Sequence, residues 1–85
     1  LMIRVCFFAS IRERLGTAAV ELPFDASLGD IASLVRALDP GVLPGAAAVL
    51  LADNTLVALN RSIAGPGSVL FDGDEVAFYP PVTGG

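Results

Sequence analysis

Apolar and polar residues alternate from the start of the chain: Ile3, Val5 and Phe7 fall on one face, Arg4, Cys6 and Phe8 on the other. A period of two predicts a strand over residues 2–8, with the odd-numbered face buried. The stretch A-S-I-R-E-R-L at 9–15 predicts a short helical turn, with Ser10 as its cap and Gly16 as its stop. Residues 17–22 predict a second strand, closed by Pro23. Ser27-Leu28-Gly29-Asp30 has the form of a capping box, which makes Ser27 and Asp30 the expected capping residues. Leu28, Ile31, Leu34, Val35 and Leu38 then recur at helical spacing, the best helical signal in the chain. Asp39-Pro40 ends it, because proline disfavours the helical conformation in the residue before it.

Residues 41–48 carry weak signals and read as loop. Two apolar runs, 49–52 and 56–60, flank Asp53-Asn54-Thr55 and predict a hairpin. Gly65-Pro66-Gly67 and Asp72-Gly73-Asp74 predict turns, the second leading into a last strand at 75–79. In that strand Val76 and Phe78 face one way, and Glu75, Ala77 and Tyr79 the other. The order of elements predicts an α+β domain: a β-grasp with a mixed sheet and one main helix packed across it. The first and last strands would be its central, parallel neighbours. This domain covers 2–79, and 80–85 form an extended tail.

Composition narrows the chemistry. The 85 residues are 54% apolar and only 16% charged, so part of the surface should be apolar, a common mark of a partner site. The net charge is −4, all five cations are arginines, and there is no lysine or histidine. Nucleic-acid binding is disfavoured by that balance, and a basic partner is the more natural expectation. Cys6 is the sole cysteine, which excludes an intrachain disulfide and a Cys-ligated cluster. Its apolar surroundings in sequence predict a packed, inert thiol. Neither a signal peptide nor a membrane span is legible, so the expected location is cytoplasmic. Without histidine or lysine the usual bases and nucleophiles are missing, and the chain is poorly equipped to be a stand-alone enzyme.

Other chemistry-bearing residues have structural explanations. Arg12 and Glu13 read as surface residues of the short helix, where a pair between them would add little stability. Turn chemistry accounts for Asp72, Asp74 and Glu75, so no metal site is assigned. Asn60 reads as a strand-ending turn residue. Phe8 and Tyr79 lie on the faces opposite the expected core. With their strands adjacent, the two rings would form an exposed aromatic patch that a partner could grip.

The tail is the most distinctive device. Pro80 and Pro81 supply no N–H donors and favour a stiff extended conformation. Six residues fully extended reach roughly 20 Å. Gly84 and Gly85 carry no side chain, so the main chain can enter a channel too narrow for a Cβ. A carboxylate at Gly85 is inert until activated, for example as an acyl-adenylate, after which a sulfur nucleophile can attack it. A lone Gly-Gly also fits an inert tail. The combination of strand, two prolines and glycines favours the chemical reading.

The run Val5-Cys6-Phe7-Phe8-Ala9 with Arg12-Glu13 and Gly16, the segment Ala58-Leu59-Asn60, and above all the run from Asp72 to Gly85 (D-G-D-E-V-A-F-Y-P-P-V-T-G-G) resemble one family. It is the molybdopterin synthase small-subunit (MoaD) family of ubiquitin-like sulfur carriers. The resemblance spans essentially the whole chain. Tyr79 stands where the family often has phenylalanine, and 41–48 match nothing in it. The resemblance implies a β-grasp and a two-step cycle. A ubiquitin-activating-like adenylyltransferase uses ATP to adenylate the Gly85 carboxylate, and a sulfur-transfer protein supplies the sulfur that makes it a thiocarboxylate. The tail, Pro80, Pro81, Val82, Thr83 and Gly84, then inserts into the large synthase subunit, and sulfur passes to a cyclic pyranopterin. It further implies a heterotetrameric synthase whose catalytic bases belong to the large subunit, and no permanently bound cofactor. Carriers for thiamine thiazole or tRNA thiolation, and a plain β-grasp interaction module, remain the alternatives. An isopeptide modifier is a minor one, since a lysine-free chain cannot form lysine-linked polymers of itself.

Overall fold

The computed structural model describes residues 1–81. Strand β1 (Met2–Phe7) runs into helix α1 (Ala9–Leu15) and returns as β2 (Ala19–Pro23). A single 3₁₀ turn (Ala26–Leu28) precedes α2 (Ile31–Leu38) and α3 (Ala46–Leu50). Three strands follow: β3 (Leu56–Leu59), β4 (Ser62–Ala64) and β5 (Glu75–Tyr79). The strands form one mixed sheet in the order β2-β1-β5-β3-β4. β1 and β5 are parallel neighbours, with Val5 opposite Val76 and Phe7 opposite Phe78. Every other pairing is antiparallel. The α+β expectation and the central parallel pair are both met.

The alternation in β1 does what its period dictates. Ile3, Val5 and Phe7 are buried, while Met2 and Arg4 are exposed. Val76 and Phe78 of β5 bury beside them, and Ile31, Leu34, Val35 and Leu38 of α2 cover the same face. Each such side chain contributes roughly 1.5–3 kcal/mol by leaving water. The core thus lies on one face of the sheet, beneath the helices. Along each strand, the alternate residues point to the opposite face, which no helix covers among the described residues.

Four sequence expectations are corrected. Residues 49–52 do not form a strand: Ala46–Leu50 is α3, which also claims the end of the expected 41–48 loop. Its start is held by Asp39, whose carboxylate accepts from the N–H groups of Gly45 and Ala47 at 3.2 and 3.0 Å. The hairpin is therefore β3–β4, turning at Asn60-Arg61 rather than at Asp53-Asn54-Thr55. Phe8, not Ser10, is the N-cap of α1, with no side-chain bond to the helix end. Asp30 is itself the N-cap of α2, accepting from the Ser33 N–H at 2.8 Å. Ser27 is not a cap: it lies inside the 3₁₀ turn, where Asp25 accepts from both its N–H and its hydroxyl. Gly16 stops α1 as expected, with φ 73° and its N–H bonded to the Arg12 carbonyl.

Candidate functional site

The site is built where β1 and β5 end side by side. Beyond Phe7 the parallel ladder continues for one more bond, from the Phe8 N–H to the Phe78 carbonyl at 3.1 Å. Ala9 then adopts a φ of 51°, turning the chain sharply into α1. Phe8 keeps the strand alternation and so stands on the uncovered face, as does Tyr79. Their rings stack with centroids 4.7 Å apart and planes 4° from parallel. Directly behind them, on the core face, Phe7 and Phe78 stack at 6.1 Å. Phe8 and Tyr79 remain 42% and 38% exposed, so this stack is an accessible surface on a rigid base. The expected aromatic patch is therefore present at the root of the tail.

The apolar surface extends farther than expected. Leu56, cross-strand from Tyr79, is 50% exposed, and Ile63 of β4 is 97% exposed. Below the ring stack lies an open hollow of about 220 Å³. Small residues, Cys6, Ala58 and Ala77, floor it, and Arg61 and Glu75 stand at its lower side. Cys6 is half-buried on this uncovered face instead of packed in the core, with its thiol 3.9 Å from the Glu75 carboxylate. Arg4 approaches the same carboxylate at 4.0 Å.

Asn60 ties the hairpin to the start of β5. Its side-chain carbonyl accepts from the Glu75 N–H and its amide donates to Asp74, both at 2.9 Å. Its own N–H donates to the Glu75 carbonyl at 2.8 Å. Asn60 and Arg61 have φ of 50° and 71°, the left-handed pair that a tight two-residue hairpin requires. Asp74 also accepts from the Phe71 N–H at 2.8 Å, and Asp72 lies 3.5 Å from the Leu1 amine. The acidic turn is thus engaged in turn bonding, as its sequence suggests. Arg12 and Glu13 are exposed on α1, and neither takes part in an ion pair among the described residues. Away from the site, hydrogen bonds from the side chain and then the N–H of Ser33 lower the pKa of Asp30, and those of Ser27 do the same for Asp25.

Pro80 is half-buried and Pro81 exposed as the chain leaves β5. Val82, Thr83, Gly84 and Gly85 lie outside the described residues. The sequence located the rings correctly but missed Arg61, Leu56 and Ile63. A turn reading of Asn60-Arg61 would have found Arg61, and the correct β3–β4 hairpin would have placed the other two.

A five-stranded mixed sheet with a parallel β1–β5 pair at its heart, helices on one face and a tail leaving the last strand defines a ubiquitin-like β-grasp protein. SAMP1 from Haloferax volcanii shares this fold, at a TM-score of 0.82 and 26% identity with both chains covered in full. The chain belongs to the ThiS family, whose model matches residues 5–85. It is 41% identical over 87 residues to the molybdopterin synthase sulfur carrier subunit of Escherichia coli (strain K12), covering 99% of this chain and 100% of that one. The protein of the same description from Haemophilus influenzae is 36% identical over 86 residues, with the same coverage.

Proposed function

We propose that this chain is the sulfur-carrier subunit of a molybdopterin synthase, acting in molybdenum cofactor biosynthesis. The observation that carries the reading is the exit of Pro80-Pro81 from the central strand β5 beside an exposed aromatic stack, with the side-chain-free Gly84-Gly85 following in the sequence. The full-length similarity to two molybdopterin synthase sulfur carrier subunits supports it over thiamine or tRNA thiolation, and over an inert interaction module.

The cycle begins at the Gly85 carboxylate. Bound to a ubiquitin-activating-like adenylyltransferase, that carboxylate attacks the α-phosphorus of ATP and expels pyrophosphate, giving an acyl-adenylate. The sulfur-transfer protein presents a persulfide whose terminal sulfur attacks the acyl carbon as AMP leaves, and a thiol then breaks the S–S bond of the resulting acyl disulfide, supplying two electrons and freeing the C-terminus as a thiocarboxylate. In the large synthase subunit the tail presents this sulfur to a cyclic pyranopterin. Phe8 and Tyr79 hold the body against the partner, while Pro80, Pro81, Val82 and Thr83 thread the glycines inward. This chain contributes the leash, the grip and the acyl carbon, and the large subunit contributes the proton-transfer groups. ATP belongs to the activating enzyme, and the work is cytoplasmic.

Intact-mass measurement tests the proposal. Incubation with the activating enzyme, ATP and a sulfur donor is expected to add about 16 Da, the difference between sulfur and oxygen, at the chain end. A mass that stays constant under conditions that thiolate the E. coli carrier would overturn it. Transfer of that sulfur to pyranopterin by the large subunit, and not to a thiazole precursor or tRNA, separates the pathway from its alternatives.

A further inference from the structure

The uncovered face of the sheet is ordered in rows across the strands. Register places Glu21 of β2 opposite Arg4 of β1, and Arg4 opposite Glu75 of β5. Arg61, at the β3–β4 turn, lines the same hollow as Glu75. Glu21, Arg4 and Glu75 therefore alternate acid, base, acid along the bottom row, and Asn60 follows opposite Glu75 with Arg61 beside it in the turn. The middle row is Ala19, Cys6, Ala77 and Ala58, all small, and it ends on β4 at the exposed Ile63. The top row is Phe8, Tyr79 and Leu56. The four charges of the bottom row cancel, whereas the whole chain carries −4.

This pattern is antisymmetric about a line running between β1 and β5. A two-fold axis along that line, lying in the plane of contact, sets a second copy face to face with the first. It brings Arg4 over the partner's Glu75, and Glu21 over the partner's Arg61. The same rotation lays Phe8 on the partner's Tyr79 and Cys6 on the partner's Ala77, and it carries Ile63 past the edge of the partner's β2. An axis across the strands would instead set aromatic rings on charges, which the desolvation of unpaired charge disfavours. Both axes keep the strands of the two sheets aligned, so the placement of charges and rings decides between them. We infer that a second copy of this chain docks on this face, forming a symmetric dimer of the free carrier. Because the dimer covers the ring stack, it and the complex with the synthase exclude one another. That exclusion rests on the proposed function, while the dimer itself does not.

Light scattering or sedimentation of the carrier alone, from micromolar to millimolar concentration, is the test. The expected result is a rise from 8.7 kDa toward twice that mass. Arg4→Glu puts like charges opposite each other and should return the protein to monomer, as should Glu75→Arg. The double exchange R4E/E75R restores the opposite-sign pairs across the interface and should restore the dimer. An equimolar mixture of the two single variants should pair with each other. Arg4 is exposed and Glu75 only half-buried, and circular dichroism confirms that each variant folds. A carrier that stays monomeric at millimolar concentration overturns the inference, as does a dimer indifferent to the single exchanges or unrescued by the double one. None of these readouts depends on sulfur transfer, so failure here and failure of the carrier function are separable.

Discussion

Tyr79→Ala separates the role of the ring stack in binding from its role in folding. An aromatic side chain presents roughly 150–250 Å² of surface. With Tyr79 38% exposed, a partner has about 60–95 Å² of it left to cover. At ~25 cal/mol per Å² that burial is worth about 1.5–2.4 kcal/mol of affinity, roughly a 10- to 60-fold change in Kd. Within the free protein the truncation removes one parallel-stacked pair, worth ~0.5–1.5 kcal/mol beyond area, together with the packing of a ring that is only partly covered. Calorimetric titration with the large subunit, run beside urea denaturation of the free carrier, measures both quantities. The expected outcome is a folded protein of modestly reduced stability and a Kd weakened by at least tenfold. Phe8→Ala should behave alike, and a double-mutant cycle should show coupling between the two in binding. Unchanged affinity in both variants would refute the assignment of this stack as the grip.

Phe78→Ala acts on the opposite face: Phe78 is buried against Phe7, so a loss of about 3–5 kcal/mol is expected in urea denaturation. Asp30 has a folded-state pKa lowered from its ordinary 3.8 by the hydrogen bonds from Ser33. Its stabilising contribution is therefore fully present above that value and fades as pH falls through the lower folded value. Asp30→Asn keeps an N-capping side chain but should flatten this part of the loss of stability below pH ~4, read from urea midpoints across pH. Gly85→Ala should leave the melting temperature unchanged, because it lies beyond β5, yet impair thiocarboxylate formation or transfer, read by intact mass. Unfolding by that substitution would refute the expectation that 80–85 form a tail separate from the folded domain.

The elements that carry the site were the most legible, for a physical reason. β1 and β5 bury one face each, so strict alternation at Ile3, Val5, Phe7, Val76 and Phe78 reveals both type and facing. Once these strands are neighbours, Phe8 and Tyr79 have to meet. The middle of the chain was less transparent. Ala46–Leu50 is a short apolar run, and such a run does not distinguish strand from helix by periodicity. What makes it helical is distant: Asp39 satisfies N–H groups at its start, and Leu50 packs into the core. The hairpin at Asn60-Arg61 lacks the glycine that usually announces such a turn, because bonds from Asn60 to Asp74 and Glu75 hold it instead. The Ser27 error was one of register. A serine followed by an acid three residues on matches a capping box, but here the acid begins the helix.

Because β1 and β5 run in the same direction, the two ends of the molecule divide its labour in space. Met2 enters the sheet at one pole and Tyr79, level with Phe8, leaves it at the other, separated by a six-residue rise of about 20 Å. A dye, bead or fusion domain joined ahead of Met2 therefore hangs from the far pole. A carrier immobilised that way still offers its chemistry to any enzyme in solution.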